Sequence, residues 1–228
     1  MSPAEPVTSD RIDGVTVLRM RAGENRFNPD TLDALDAALD AVEDGGPAPV
    51  VLTGDGKFFS NGFDVEWMSG AAPGEAADVV ARFGGLAARL LAFPGYVVGA
   101  VNGHAFGAGA MLALACDQRV MREDRGYFCL PEVDLGLSFS PGMAALITTK
   151  LVPASAQEAM LTGRRYGGPA AVAAGIAGQS VPEDELVDTA VRHAAAMAGK
   201  SSASVTAIKT GMYAGAIELL RAEAAGRH

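Results

Sequence analysis

Ala100-Val-Asn-Gly-His-Ala-Phe-Gly-Ala-Gly-Ala-Met-Leu-Ala-Leu-Ala-Cys-Asp117 is the stretch on which the fold turns. It begins in an apolar strand, Val97 to Val101, that lacks polar alternation. The small residues Gly107, Ala108, Gly109 and Ala110 then open a helix, which Leu112, Leu114 and Ala115 carry into the core. The first turn of such a helix leaves backbone N–H groups without intrahelical partners, and the helix dipole adds positive potential there. Glycine and alanine let a ligand approach that backbone closely. The stretch predicts a site for an anion, or for an oxygen that becomes anionic during a reaction.

A second stretch has the same form. Lys57-Phe-Phe-Ser-Asn-Gly-Phe-Asp-Val-Glu-Trp-Met68 follows the strand-like Val50-Val-Leu-Thr-Gly54. The small-residue turn Ser60-Asn61-Gly62 precedes another helix, and Gly62 suits a positive φ or a close backbone approach. Either turn alone is also a common packing device. Together they can present one N–H each to a single oxygen, the usual way to hold an enolate or a tetrahedral intermediate.

Three segments in order carry a resemblance to a known family. Phe59-Ser-Asn-Gly-Phe-Asp64 and Ala100-Val-Asn-Gly-His-Ala-Phe-Gly-Ala-Gly109 resemble the two oxyanion-hole motifs of the crotonase, or enoyl-CoA hydratase/isomerase, family. Arg125-Gly-Tyr-Phe-Cys-Leu-Pro-Glu-Val-Asp-Leu-Gly-Leu137 resembles the segment that carries its catalytic glutamate. The resemblance runs from about Val15 to the C-terminus. It implies an α/β fold, a crotonase-like spiral of repeated ββα units with a C-terminal helical appendage. It also implies an acyl-CoA thioester as substrate, with no cofactor beyond that coenzyme A, and a homotrimer or a dimer of trimers.

By the same resemblance, the backbone N–H groups of Phe63 and Ala108 form the oxyanion hole, and Glu132 is the catalytic acid–base group. Glu132 follows Pro131 in an apolar context, where a carboxylate titrates high and becomes a usable base near neutral pH. Met111 is the informative departure. A hydratase of the family usually carries a second catalytic glutamate there, and a thioether cannot serve as a base. Moving a double bond needs only one carboxylate, so the resemblance is to the single-glutamate enoyl-CoA isomerases of fatty-acid β-oxidation. The alternatives are a hydratase or another acyl-CoA reaction of the same fold, and a non-catalytic acyl-CoA-binding protein. Substrate contacts are expected from Arg26 and Phe27, from Ser60, Asn61 and Gly62, from Asp64 and Trp67, and from Gly107, Met111 and Phe139. Arg26 and Lys209 are the candidate phosphate contacts. Asp64 is also expected to cap the following helix, Asp117 to close the buried helix or meet an arginine, and His104 to stabilise its turn.

Composition sets the outer bounds. A chain of 228 residues with formal net charge −9 has no default attraction to nucleic acid or an anionic membrane. Apolar runs stay well short of the roughly 18 residues of a membrane span. Cys116 and Cys129 sit in apolar segments as core thiols, as expected of a reducing compartment. The N-terminus lacks a signal-peptide pattern and the C-terminal Gly-Arg-His is not a peroxisomal Ser-Lys-Leu, so a cytoplasmic protein is expected. The histidines stand apart from other ligand-type residues, and no metal is expected. Ala198-Gly-Lys-Ser201 follows a helix rather than a strand and is not a phosphate loop.

The organisation expected is a loosely ordered tail over residues 1–10, an α/β core over 11–140 and a helical region over 141–228 that takes part in oligomerisation. Asn28-Pro29 starts the first helix, with Leu32, Leu35, Leu39 and Val42 at helical spacing. Ala71 to Glu75 is expected to be a mobile loop. Beyond Pro141 the pattern predicts helices only, the last a continuous one from Ser202 to Ala225.

Overall fold

The computed structural model describes residues 5–46 and 48–226. The strands β1 (Val7–Ile12) and β2 (Val15–Met20) form an antiparallel hairpin. Asp13 and Gly14 make its turn with φ of 50° and 80°, and two positive values match the twist of a two-residue hairpin. The helix α1 (Pro29–Asp44) follows. Its cap is reciprocal: Asn28 Oδ1 accepts the Thr31 N–H at 3.1 Å and Thr31 Oγ1 accepts the Asn28 N–H at 3.0 Å.

From there the chain winds in repeated turns. Strands β3 (Val50–Gly54) and β4 (Phe58–Ser60) lead to helices α2 (Val65–Gly70) and α3 (Pro73–Leu91). Strands β5 (Val97–Val101) and β6 (His104–Phe106) lead to α4 (Ala108–Ala115). Strands β7 (Gln118–Arg122) and β8 (Phe128–Cys129) lead to α5 (Pro141–Lys150), α6 (Pro153–Thr162) and α7 (Gly168–Ala173). Then come β9 (Gln179–Val181), α8 (Glu183–Ala195), α9 (Ser202–Met212) and α10 (Ala214–Ala224). The large sheet has the order β1-β2-β3-β5-β7-β9 and is parallel beyond the hairpin. The small sheet, β4-β6-β8, is parallel throughout. Each turn thus gives one strand to each sheet before its helix.

Burial explains the apolar runs. Leu18, Leu52, Val97 and Val101 face a core shared with Phe59 and Phe128 of the small sheet, Leu35 and Leu39 of α1, and Phe83 and Leu90 of α3. Val17, Val51, Val98 and Val120 face the other way, onto Leu186, Ala190, Val191 and Ala194 of α8. A sheet covered on both faces has no reason to alternate. α4 is buried at every position, so its apolar character is uniform rather than one-sided.

Several expectations are corrected. Of the tail, residues 1–4 lie outside the described residues, but Val7 to Asp10 belong to β1, paired in register from Val7 with Met20 to Ile12 with Val15. The Asp-Gly turn was the available signal. Ala71 to Glu75 is not a loop: two residues separate α2 from α3, and Glu75 accepts the Ala72 N–H at 3.0 Å to start α3. The region 141–228 is not purely helical, because β9 returns to pair with β7 in the large sheet. The last helix breaks at Tyr213, whose φ of −110° interrupts it between α9 and α10. Among the described residues no helix is long and apolar enough to cross a membrane.

Candidate active site

The two small-residue turns meet where strands of the small sheet end. Gly62 has φ 81°, and a Cβ placed on it would lie 2.8 Å from the Phe106 carbonyl oxygen and 3.4 Å from the Ala108 nitrogen. Gly109 sits against the other side of the first turn, where a Cβ would come 2.8 Å from the Ser60 Cβ and overlap the Ser60 carbonyl. Glycine at both positions is therefore what lets β4's exit and the start of α4 touch.

Two N–H groups without protein acceptors lie at this junction among the described residues. The Gly62 carbonyl accepts the Phe27 N–H at 2.8 Å. Cis peptide bonds are absent among the described residues, and in a trans peptide the N–H points opposite to the carbonyl. The Phe63 N–H is thereby aimed away from Phe27. The Gly107 carbonyl accepts the Met111 N–H at 3.0 Å inside the helix, so the Ala108 N–H projects from the helix start. Among the described residues neither the Phe63 nor the Ala108 N–H donates to a protein acceptor. Two unsatisfied donors, one of them at a helix N-terminus, can together hold an oxygen.

Glu132 lies beside them. A Cβ on Gly107 would stand 3.4 Å from Glu132 Oε1, and Gly107 itself has φ 52° and ψ −120°, a conformation essentially reserved to glycine. Glu132 is 9% exposed, and its Oε2 is buried with no hydrogen-bond partner among the described residues. Burial raises its pKa above the ordinary 4.5, offset only in part by a backbone hydrogen bond. A buried carboxylate left without a partner is costly in a fold, and it is what a general base requires.

The remaining candidates divide. Ser60, Asn61, Gly62, Gly107 and Phe63 sit at the junction, and the Phe63 ring packs against Phe27 and Phe83 at 6.3 and 5.3 Å between centroids. Asp64 caps α2 as expected: its Oδ1 accepts the Trp67 N–H at 3.2 Å, and its Oδ2 accepts from Asn28 Nδ2 at 3.1 Å. Trp67 and Phe139 are half-buried against the core. Arg26 stands at the rim, tied to Glu24 at 2.6 Å. Phe27 and Met111 are core residues, so Phe27 reaches the site through its backbone rather than its ring.

Three expectations fail on geometry. Lys209 is not free to meet a phosphate. Its Nζ lies 2.7 Å from Asp117 Oδ2, and both side chains are 7% exposed. The same ammonium donates to the Gly95 carbonyl at 3.3 Å, which locks α9 to the start of β5. Asp117 meets this lysine rather than an arginine, and also accepts the Val97 N–H at 2.8 Å. Removing one partner from such a pair strands a buried charge. Lys209→Ala is accordingly expected to lower stability by about 3–5 kcal/mol in thermal or urea unfolding, with substrate KM unchanged in the folded fraction. His104 is a strand residue in β6, packed among Phe58, Phe106 and Tyr127 with centroids 5.0–5.6 Å apart, and makes no turn contact through its buried Nδ1.

Two further residues support the junction. Asn102 Oδ1 accepts the Gly54 N–H at 2.9 Å, and its Nδ2 donates to the Gly56 carbonyl at 3.1 Å, joining the ends of β3 and β5. Asn25 does similar work beside β4. Both are buried polar residues whose amide groups reach backbone atoms distant in sequence, so spacing alone does not disclose that role.

A family model described as enoyl-CoA hydratase/isomerase matches residues 10–227. The chain is 37% identical over 188 residues to the Arabidopsis thaliana protein "Enoyl-CoA delta isomerase 2, peroxisomal", covering 78% of each. It is 37% identical over 162 residues to a carnitinyl-CoA dehydratase of Proteus mirabilis, covering 70% of this chain and 60% of that one. Among solved structures, the apo form of a Mycobacterium tuberculosis enoyl-CoA isomerase superposes with a TM-score of 0.90 at 30% identity, covering 99% of this chain and 98% of that one.

Proposed function

The chain belongs to the enoyl-CoA hydratase/isomerase family, and from that premise we propose that it moves the double bond of a 3-enoyl-CoA thioester to the 2-position. The thioester oxygen sits between the Phe63 and Ala108 N–H groups. Glu132 takes a proton from C2; the C2–H pair becomes the π bond of a dienolate, and the negative charge moves to the thioester oxygen. The two donors strengthen as that charge develops, and such a donor typically contributes about 3–4 kcal/mol to the transition state. Glu132 then returns the proton to C4, leaving the 2-enoyl thioester and a regenerated carboxylate.

The observation that carries the proposal is a buried carboxylate with one unpartnered oxygen beside two unpartnered N–H groups among the described residues. Hydration would gain from a second acid–base group to orient water. Met111 occupies the position where a second glutamate usually stands in hydratases, and nearby Asp64 is spent on its cap and on Asn28. Arg26, at the rim, is the group for the phosphate end of coenzyme A. In the same reading three copies, or six, assemble through residues 141–228, where Val152, Leu161, Ile208 and Met212 are exposed. The protein works in the cytoplasm as part of fatty-acid β-oxidation, with both cysteines as buried thiols.

The test compares two substrates with one preparation. Isomerisation of 3-hexenoyl-CoA is expected to exceed hydration of 2-hexenoyl-CoA by at least about 100-fold in kcat/KM, the weight a second acid–base group commonly carries. Hydration at a comparable rate would overturn the preference for isomerisation.

A further inference from the structure

We infer that Asn25 is the positioning residue that aims the Phe63 N–H into the site, an inference that rests on the oxyanion-hole reading above. Asn25 is 2% exposed and has φ 52°, one of the two non-glycine positive values among the described residues. Its side chain is fully used. Oδ1 accepts the Ala22 N–H at 2.9 Å, and Nδ2 donates to the carbonyls of Phe58 and Phe59 at 3.2 and 3.1 Å. Those two carbonyls belong to β4, the strand that ends at the first turn.

The backbone around Asn25 then grips that turn on both sides of the decisive peptide. Ser60 Oγ donates to the Asn25 carbonyl at 2.7 Å and accepts the Gly62 N–H at 3.2 Å. Two residues further on, the Phe27 N–H donates to the Gly62 carbonyl at 2.8 Å, and the Phe27 carbonyl accepts the Asp64 N–H at 3.0 Å. The Gly62–Phe63 peptide is held at its carbonyl, and its N–H points the opposite way. Nothing else among the described residues bonds that carbonyl, so the direction of the donor is set by where residues 25–27 lie.

Few residue types can occupy position 25. The left-handed backbone favours Gly, Asn or Asp. Two carbonyl acceptors demand two donors from one side chain, which only the amide of Asn supplies at that length. Asp would set a carboxylate against two carbonyl oxygens, and Gly would remove both donors, leaving the Phe58 carbonyl only the longer bond from Asn102 Nδ2 at 3.4 Å. A donor misaimed by a fraction of an ångström loses more in the transition state than in the ground state, because the oxygen's charge is greater there. A positioning role therefore lowers kcat and leaves KM nearly alone.

The test uses Asn25→Gly and Ser60→Ala, with 13C-labelled hexanoyl-CoA, which cannot be isomerised, as an infrared probe. Bound to the wild-type protein, its thioester carbonyl band is expected at lower frequency than in solution, as two donors polarise the bond. In Asn25→Gly the band should return part of the way, and kcat for 3-hexenoyl-CoA should fall on the order of 10- to 100-fold, with KM within about threefold. Ser60→Ala should move both readouts in the same direction by less. An unshifted band in the wild type would defeat the oxyanion-hole reading itself. A wild-type band that shifts, with variant band and kcat both unchanged, would defeat the role of Asn25 alone. If Asn25→Gly does not fold, unchanged values in Ser60→Ala overturn it equally.

Discussion

Glu132→Gln is expected to remove essentially all turnover of a 3-enoyl thioester and to make the protein more stable. The amide fills the same volume but cannot accept a proton from carbon. A general base typically contributes about 10²–10⁴-fold to the rate, and no other free carboxylate borders the two donors among the described residues, so the upper end applies. The stability gain follows from the same burial. The folded pKa of Glu132 is raised above 4.5, the value expected once the chain unfolds. Between those two values the native state holds a proton that the unfolded state has released. Stability is therefore lost as pH rises through that window, and the loss is complete above the folded pKa. Glutamine titrates nowhere and escapes it. The melting temperatures of the two proteins should converge below about pH 4 and separate in favour of the variant toward pH 8. In the wild type, kcat/KM should rise with pH on a limb displaced above the ordinary carboxylate range. A variant that kept its activity would remove Glu132 from the mechanism, and one that melted lower at pH 8 would contradict the stability argument from burial.

Gly62→Ala carries the next largest effect, and it acts through the backbone. At φ 81° an alanine is strained by roughly 1–2 kcal/mol before any contact is counted. Its methyl group would also meet the Phe106 carbonyl oxygen at 2.8 Å and the Ala108 nitrogen at 3.4 Å. The second turn must then move away, and that turn carries one of the two donors. Loss of one donor alone costs about 10²–10³ in kcat. The expected result is a fall of at least that size with a melting temperature lowered by several degrees, measured on protein that remains folded by circular dichroism. Activity within tenfold of wild type would mean that the N–H groups of Phe63 and Ala108 do not act on one oxygen.

The α/β class is legible in the sequence, and so are the glycines of the two turns, whereas the shortest strands are not. Glycines 62, 107 and 109 are conspicuous because each is dictated locally, by a positive φ or by an atom that leaves no room for Cβ. Glu132 is legible through the resemblance of its segment rather than through its neighbours, since it is 9% exposed while Val133 beside it is 43% exposed. Strands β4, β6 and β9 leave no local pattern because each is three residues long and owes its conformation to neighbours across the sheet. Lys209 was misjudged for a related reason. A lysine on a helix is usually solvated, and only the packing of α9 onto β5 brings it to Asp117, 92 residues away. Asn25 and Asn102 are hard to read because a buried amide is defined by its partners, and the carbonyls that Asn25 Nδ2 meets and the N–H that Asn102 Oδ1 accepts lie 33–48 residues away.

The most direct test of the mechanism follows one hydrogen. 3-Hexenoyl-CoA carrying deuterium at C2 is incubated with wild type and with Glu132→Gln, and the products are analysed by mass spectrometry and NMR. The account predicts 2-hexenoyl-CoA from the wild type alone, with part of the deuterium transferred to C4 by the single carboxylate. Formation of that product by Glu132→Gln at the wild-type rate would contradict it.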